Sequence, residues 1–242
     1  MYCTYKNGRH PFLILAPLKV EIVNVDPYVL IFHDIIYENE IEIIKSMSKD
    51  SLSRANVWDA RAGKAIISHI RTGKYSWLAK HMHPVLNVLN QRIEDMTDMS
   101  METSETLQVM NYGIGGHYDV HPDYLDEPKG NVIKMTGYVN HFWGNRIATI
   151  LFYLSEVEHG GATVFPHINI SLQPKKGAAA FWFNMLPSGL PDYKVRHAAC
   201  PVIFGSKWVA NKWIRYNGQI FHRRCTTNKN DYYHLYGDTI FQ

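Results

Sequence analysis

The sequence is poor in cysteine, contains no long apolar run and carries almost no excess charge. Three cysteines in 242 residues are too few for a disulfide-stabilised scaffold. No stretch approaches the roughly 20 consecutive apolar residues of a membrane-spanning helix, and the opening MYCTYKNGRH lacks the apolar core of a secretory signal. The formal net charge of +3 gives no reason to expect a nucleic-acid or a membrane partner.

The chain does contain enough apolar side chains for one well-packed domain, since hydrophobic residues make up 46% of it. We expect a strand and helix support region over 1–105, a β core over 106–225 and a loosely held tail over 226–242. Asp34 is expected to cap a helix in IIYENEIEIIKSMS, and the apolar spacing of residues 76–97 predicts a second helix. Short strand-like runs, separated by Gly, Pro and Asn, lie at 106–112, 147–154, 178–183, 195–203 and 207–214.

Two His-x-Asp pairs overlap in the stretch LQVMNYGIGGHYDVHPD. Residues two apart on an extended segment point to the same side, so either His121 with Asp123 or His117 with Asp119 could present an imidazole and a carboxylate to one ion. Two imidazoles and one carboxylate are the ligands of non-haem Fe(II) oxygenases. His197, in a later strand-like run, is the candidate for the third ligand. Spacing alone does not choose between the two pairs.

The tripeptide HPD and Lys207 each have two possible interpretations. The tripeptide HPD is also the signature of J-domain co-chaperones, but the glycines around it argue against the two long helices that flank it there. Lys207 is a candidate for binding an anion, because a buried lysine needs an anionic partner. If Phe204-Gly205-Ser206 is a hairpin turn, Ile203 faces Lys207, and His197 lies on the same face as both. An ordinary hairpin-end lysine in water is the alternative.

Five segments, in this order and spacing, carry a resemblance to a known family: FHDIIYENEIEII, LQVMNYG, GNRIATILFYLSEVEHGGATVFP, PKKGAAAFWFN and RHAACPVIFGSKWVANKW. The chain resembles the catalytic region of collagen prolyl 4-hydroxylase α subunits, which are Fe(II)- and 2-oxoglutarate-dependent dioxygenases. The resemblance implies an α+β fold, with a double-stranded β-helix (jelly-roll) core and N-terminal supporting helices. It also implies hydroxylation of C4 of peptidyl proline in Xaa-Pro-Gly, with O2 and 2-oxoglutarate converted to succinate and CO2. Ascorbate, residence in the endoplasmic reticulum lumen and pairing with the protein disulfide isomerase β subunit are implied in the same way.

The resemblance also assigns roles to residues. The family has a tyrosine three residues before its iron-binding histidine, as Tyr118 stands before His121, which favours His121 and Asp123 over the other pair. The implied iron ligands are His121, Asp123 and His197. Lys207, Tyr112 and Thr163 match residues that bind the distal carboxylate of 2-oxoglutarate, and Tyr118, Arg146 and Trp213 match residues that line the peptide groove. Cys200 and Cys225 fall where the family has a disulfide, whereas the family partner of Cys3 lies upstream of this chain.

Some features depart from the family. The 22 residues of 124–145 form a long segment for a compact domain, and we expect a lid or binding loop in which Phe142 and Trp143 pack over the substrate or anchor the loop. The family's upstream domains and signal sequence are missing, so the chain is expected to be a fragment, an isoform or an incomplete gene product. A truncated, non-catalytic subunit and a dioxygenase acting on other prolyl or lysyl peptides remain alternatives.

Overall fold

The computed structural model describes residues 2–7, 10–59, 64–125 and 143–236. Its strands, in chain order, are β1 Tyr2–Lys6, β2 Leu18–Asn24, β3 Val29–His33, β4 Ser53–Arg54, β5 Val57–Asp59, β6 Lys64–Ile66, β7 Arg71–Thr72, β8 Lys74–Leu78, β9 Leu107–Tyr112, β10 His117–His121, β11 Arg146–Tyr153, β12 His159–Gly160, β13 Thr163–Phe165, β14 Ile170–Leu172, β15 Ala179–Phe183, β16 His197–Ala199, β17 Val202–Phe204 and β18 Lys207–Arg215. The α-helices are α1 Phe12–Leu15, α2 Glu38–Lys49 and α3 Pro84–Thr97. Short 3-10 turns lie at Pro166–Ile168, Tyr193–Val195 and Asn217–Gln219.

Two antiparallel sheets dominate the described part of the chain. The large sheet has nine strands in the order β1-β2-β3-β15-β11-β18-β9-β8-β4, and the small sheet has five in the order β14-β13-β16-β10-β7. Strands from the first hundred residues therefore lie in the same large sheet as β9, β11, β15 and β18. The result is a mixed fold with few helices and mostly antiparallel strands. No helix in the described ranges is long and apolar enough to cross a bilayer.

The large sheet is buried on both faces, which explains the nearly continuous apolar sequence of β11 and β15. Along β11, Ile150 and Phe152 belong to one core cluster, which also contains buried side chains of α2 and α3. The alternating residues Leu151 and Tyr153 belong to a second cluster, which contains side chains of the small sheet such as Phe165. The helices thus cover one face of the large sheet, and the small sheet covers the other.

The structure confirms most of the predicted strands and corrects both predicted helices. Residues 76–78 belong to strand β8, and the helix begins only at Pro84, where the His83 ring accepts a hydrogen bond from the Val85 N–H. Asp34 does not cap α2; it lies in the left-handed region at φ 54° and pairs with Lys19. Glu40 instead accepts a hydrogen bond from the backbone N–H of Tyr37 at the start of that helix.

Two further expectations about the second half of the chain are wrong. β17 and β18 do not form a hairpin, because β17 pairs with β12 while β18 lies between β11 and β9. As a consequence Ile203 is 68% exposed whereas Lys207 is 1% exposed, so the two do not share an environment. The segment after Thr226 is also not uniformly loose, because Tyr233 and Leu235 are buried in the main core.

Candidate functional site

Three metal-ligating side chains meet at one end of the small sheet. His121 ends β10, His197 begins β16, and the two are register partners in the antiparallel pair. Asp123 follows two residues after His121, and the ligand atoms of all three lie within 4.8 Å of one another. Nε2 of His121 is 3.9 Å from Asp123 Oδ1, and Nε2 of His197 is 3.7 Å from Asp123 Oδ2. This is the donor set of a facial two-histidine, one-carboxylate centre.

Hydrogen bonds fix both imidazoles in the tautomer that a metal requires. Nδ1 of His121 lies 2.7 Å from the carbonyl oxygen of Asp119, and Nδ1 of His197 lies 3.0 Å from that of Val195. A carbonyl only accepts, so each Nδ1 carries the proton and each Nε2 keeps its lone pair. The three donors therefore suit a divalent cation.

Ionisation states at the centre agree with this assignment. Burial, reinforced by the neighbouring His197, lowers the pKa of His121 to about 3. Burial alone would raise the pKa of Asp123, but His197 and His121 hold it below its ordinary value. At neutral pH the centre thus combines an uncharged His121 with an anionic carboxylate, the protonation states that metal binding needs.

The competing pair lies outside this cluster. Asp119 is exposed, and its carboxylate is 3.8 Å from His117 Nε2. The ring of His117 interacts instead with Thr72 Oγ1 at 3.0 Å. The register of β10 against β16 shifts between Tyr118 and His121. That irregularity breaks the strict alternation on which the sequence argument depended.

Lys207 lies in an apolar and hydroxyl-lined pocket between the sheets. Its ammonium Nζ is 3.3 Å from Thr163 Oγ1 and 5.9 Å from the ring centroid of Tyr112. No carboxylate in the described ranges lies within ion-pair distance of it, and burial lowers its pKa to about 8. A buried cation without an anion is costly, so the pocket is suited to receive one.

Tyr153 lies directly behind Thr163 and was not among the predicted site residues. Its hydroxyl donates to Thr163 Oγ1 at 3.1 Å, and its ring centroid is 5.9 Å from Lys207 Nζ. Burial raises its pKa, and burial likewise raises the pKa of Tyr112 to about 12, so both are neutral hydroxyls at physiological pH. Strand alternation along β11, with Leu151 and Tyr153 on the inner face, is the signal that identifies it.

One cavity of about 480 Å³ contains both groups of residues. Its lining includes the three metal-ligating side chains together with Lys207 and Thr163. The three candidate metal ligands and the buried Lys207 therefore share one cavity.

The mouth of the cavity is built from aromatic rings and guanidinium groups. The Tyr118 ring stacks on His121 with centroids 3.5 Å apart, and the Arg146 guanidinium lies 3.8 Å from the Trp213 centroid. Glu105 fixes Arg146 through two hydrogen bonds of 2.5 and 2.8 Å. The three residues predicted to line a peptide groove thus border the same opening.

Two more mouth residues were missed: Trp77 because residues 76–78 were expected to be helical, and Arg71 because it lay outside the predicted elements. Trp77 packs against Trp213 with ring centroids 6.0 Å apart. Arg71 lies 4.8 Å from the Tyr118 centroid and donates to Gln108 at 2.9 Å. Both line the cavity. Their period-two spacing in Arg71 to Trp77 would have revealed them as residues of extended strands.

The long segment between Asp123 and Arg146 is described only at its two ends. Asn145 joins those ends, because its side chain accepts from the Leu125 N–H at 2.8 Å and donates to the Leu125 carbonyl at 2.9 Å. Residues 126–142, including Phe142, lie outside the described residues, and Trp143 lies at the edge. The predicted lid stays a prediction.

The disulfide implied by the resemblance is not formed. Cys200 and Cys225 are both free thiols, as is Cys3. Separate backbone contacts hold the two segments, because the Cys200 N–H donates to the Ala162 carbonyl while the Thr226 N–H donates to the Pro187 carbonyl.

Comparisons with known proteins agree with this geometry. Residues 107–215 match the family model of the 2OG-Fe(II) oxygenase superfamily. The chain is 46% identical over 230 residues to prolyl 4-hydroxylase subunit alpha-1 of Rattus norvegicus, covering 95% of this chain and 42% of that protein. It is 46% identical over 223 residues to prolyl 4-hydroxylase subunit alpha-2 of Caenorhabditis elegans, covering 92% of this chain and 40% of that one. It therefore spans about two fifths of the length of these relatives.

Solved structures share the fold at lower identity. The viral collagen prolyl hydroxylase of Paramecium Bursaria Chlorella virus-1, in complex with 2OG, superposes with a TM-score of 0.60 at 23% identity, covering 80% of this chain and 98% of that one. A prolyl hydroxylase of Trichoplax adhaerens gives a TM-score of 0.53 at 14% identity, covering 81% and 87%.

Proposed function

Because residues 107–215 match the family model of the 2OG-Fe(II) oxygenase superfamily, we propose that this chain is a prolyl 4-hydroxylase that uses Fe(II), O2 and 2-oxoglutarate. Its product would be 4-hydroxyproline in Xaa-Pro-Gly peptides, released with succinate and CO2. The observation that carries the proposal is the presence of a buried His-Asp-His cluster and a buried lysine without an anionic partner in one cavity. The two facing sheets support a double-stranded β-helix over 106–225, with 1–105 as its support and a C-terminal segment that packs Tyr233 and Leu235 against the core.

His121, Asp123 and His197 would hold the ferrous ion. Three protein ligands leave coordination positions for a cosubstrate and for O2, and the ion supplies the activation of O2 that breaking an unactivated C–H bond requires. The chain's own part is to keep both Nε2 lone pairs and the Asp123 carboxylate directed at one point, which the two carbonyl hydrogen bonds achieve.

The Lys207 pocket would bind the distal carboxylate of 2-oxoglutarate. Lys207 contributes a compact positive charge with three N–H donors. Thr163 contributes the hydroxyl next to it, Tyr153 hydrogen bonds to that hydroxyl, and the ring of Tyr112 lines the same cavity. A dicarboxylate bound there would neutralise the buried ammonium, so binding energy would come from relieving an existing penalty. Ascorbate would serve to keep the iron reduced.

Tyr118, Arg146 and Trp213 would position the peptide over the metal. Their rings and the guanidinium form an aromatic-lined opening, which suits the preformed extended conformation of proline-rich segments. The ion pair with Glu105 holds the Arg146 guanidinium in place before the peptide arrives. These three side chains would also exclude bulk water from the cavity.

Compartment and partners follow only by analogy with the relatives. We propose that the chain acts in the endoplasmic reticulum lumen and associates with the protein disulfide isomerase β subunit. The relatives are named as α subunits, which supports an assembly with a second kind of chain.

The experiment that tests the function supplies purified protein with Fe(II), 2-oxoglutarate, ascorbate and a (Pro-Pro-Gly)n peptide. We expect succinate and 4-hydroxyproline in equal amounts. A folded, iron-loaded sample that produces neither would contradict the proposal, and co-purification with the isomerase without succinate would favour a non-catalytic subunit. Turnover only with other prolyl or lysyl peptides would correct the substrate while retaining the reaction class.

A further inference from the structure

A line of buried hydrogen bonds runs behind the metal-binding carboxylate. Thr149 Oγ1 donates to Asp123 Oδ2 at 2.7 Å. Asn184 Nδ2 donates to Thr149 Oγ1 at 2.9 Å, and Trp182 Nε1 donates to Asn184 Oδ1 at 2.9 Å. Thr149, Asn184 and Trp182 are each 0% exposed. Polar groups this deeply buried have no water to replace a lost partner, so this series of hydrogen bonds has one well-defined arrangement.

Every donor in this series of hydrogen bonds points toward the Asp123 carboxylate. An indole N–H can only donate, so Asn184 must present its oxygen to Trp182 and its amide N–H groups to Thr149. Thr149 Oγ1 then accepts a hydrogen bond from Asn184, and its own hydroxyl hydrogen is donated to Asp123. The indole N–H of Trp182 thereby determines the orientation of a carboxylate three hydrogen bonds away.

The series of hydrogen bonds also crosses between the two sheets. Thr149 on β11 and Trp182 on β15 are direct register partners in the large sheet, and Asn184 follows at the end of β15. Asp123 follows β10, which belongs to the small sheet together with His197 on β16. These hydrogen bonds therefore connect the Asp123 carboxylate to the large sheet, whereas both histidines belong to the small sheet. The relative position of the three ligands depends on this connection.

We propose that Thr149 and Asn184 are positioning residues that hold the Asp123 carboxylate for the metal ion. This inference rests on the proposed function, since it assumes that His121, Asp123 and His197 bind the ion. The Thr149 hydroxyl engages Oδ2, while Oδ1 remains directed toward His121. Without that hydroxyl the carboxylate would lose the hydrogen bond that orients Oδ2, and metal binding would have to supply that ordering.

The test compares metal affinity in variants that keep the shape of the side chain. Thr149→Val removes only the hydroxyl and preserves a β-branched residue in a strand, whereas Thr149→Ser retains the hydroxyl. Thr97→Val is the matched control, because Thr97 is equally buried but donates to the Ile93 carbonyl in α3, away from the cavity. Isothermal titration of the full chain with Mn(II) or Co(II) gives the Kd, and circular dichroism verifies folding.

We expect Thr149→Val to raise the Kd for the metal ion by about 10- to 100-fold, the range found when a residue that hydrogen bonds to a metal ligand is replaced. Thr149→Ser should stay within about threefold of wild type, and Thr97→Val should be unchanged. Because Asn184 acts only through Thr149, adding Asn184→Leu to Thr149→Val should weaken binding no further than Thr149→Val alone. A merely structural role predicts additive losses and no rescue by serine.

The failures can be told apart. A wild-type chain that binds no metal contradicts the proposed function itself. A wild-type chain that binds metal, together with a Thr149→Val variant of the same affinity, overturns the positioning role alone. If Thr149→Val does not fold, Asn184→Leu decides the question, and an unchanged Kd in that variant overturns the inference.

Discussion

Replacing Lys207 by methionine should stabilise the ligand-free protein and strongly weaken the binding of 2-oxoglutarate. Methionine is an unbranched side chain that extends as far as the lysine Cε, and it removes the charge. The lysine is 1% exposed, and burial lowers its pKa from 10.5 to about 8. At 1.36 kcal/mol per pKa unit, this burial costs the folded state about 3 kcal/mol at neutral pH. That cost sets the upper limit of the stability that Lys207→Met can gain.

The pH dependence has a definite sign. Below pH 8 the lysine is protonated in both folded and unfolded chains, so the full cost applies and the methionine variant has its greatest advantage. Between pH 8 and 10.5 the folded chain releases the proton while the unfolded chain keeps it, and the wild type gains stability as pH rises. In urea unfolding, the difference in the free energy of unfolding between Lys207→Met and the wild type should therefore be smaller at pH 10 than at pH 7.

Binding should change in the opposite direction. Removing one partner of a desolvated charge pair costs about 2–5 kcal/mol, so the KM for 2-oxoglutarate should rise by about 30-fold to several thousand-fold. Lys212→Met is the matched control, because Lys212 lies on the same strand, is 4% exposed and has its pKa lowered to about 8, yet donates to the Glu105 carbonyl. A Lys207→Met enzyme whose KM for 2-oxoglutarate stays within threefold of wild type would refute the reasoning.

Three further outcomes follow from the site. His121→Ala should abolish succinate formation while His117→Ala retains it, and the reverse result would contradict the assignment of ligands. Trp213→Ala should raise the KM for a (Pro-Pro-Gly)n peptide by about 10-fold, the loss of roughly 1.4 kcal/mol of aromatic contact, and leave the KM for 2-oxoglutarate unchanged; a shift in the latter alone would count against a peptide role. Thiol titration of the unfolded, unreduced protein should find three reactive cysteines, whereas a single one would restore the Cys200–Cys225 disulfide.

Local sequence patterns were sufficient for the central strands, and they narrowed the candidate ligands to two His-x-Asp pairs. The apolar runs of β11 and β15 are buried on both faces, so their identity as strands follows from composition alone. The spacing of His121 and Asp123 predicted a shared ligand pair. The converging geometry with His197 agrees with that prediction.

What the sequence could not supply depends on long-range pairing. The irregular register of β10 decides between the two His-x-Asp pairs, and it arises from pairing with β16, some 80 residues away. Strand β8 has apolar spacing compatible with a helix, but its pairing with β9 overrides that preference. The hydrogen bonds that join Thr149, Asn184 and Asp123 likewise exist only once β11 and β15 are adjacent.

The most direct test of the account is an anaerobic titration of the protein with Fe(II) and then 2-oxoglutarate, followed by visible absorption. One ferrous ion should bind per chain, and adding 2-oxoglutarate should produce the charge-transfer band of an iron-bound 2-oxo acid. The band should be absent in Asp123→Ala and should require far more 2-oxoglutarate in Lys207→Met. A band of normal strength and affinity in both variants would show that iron and cosubstrate bind elsewhere.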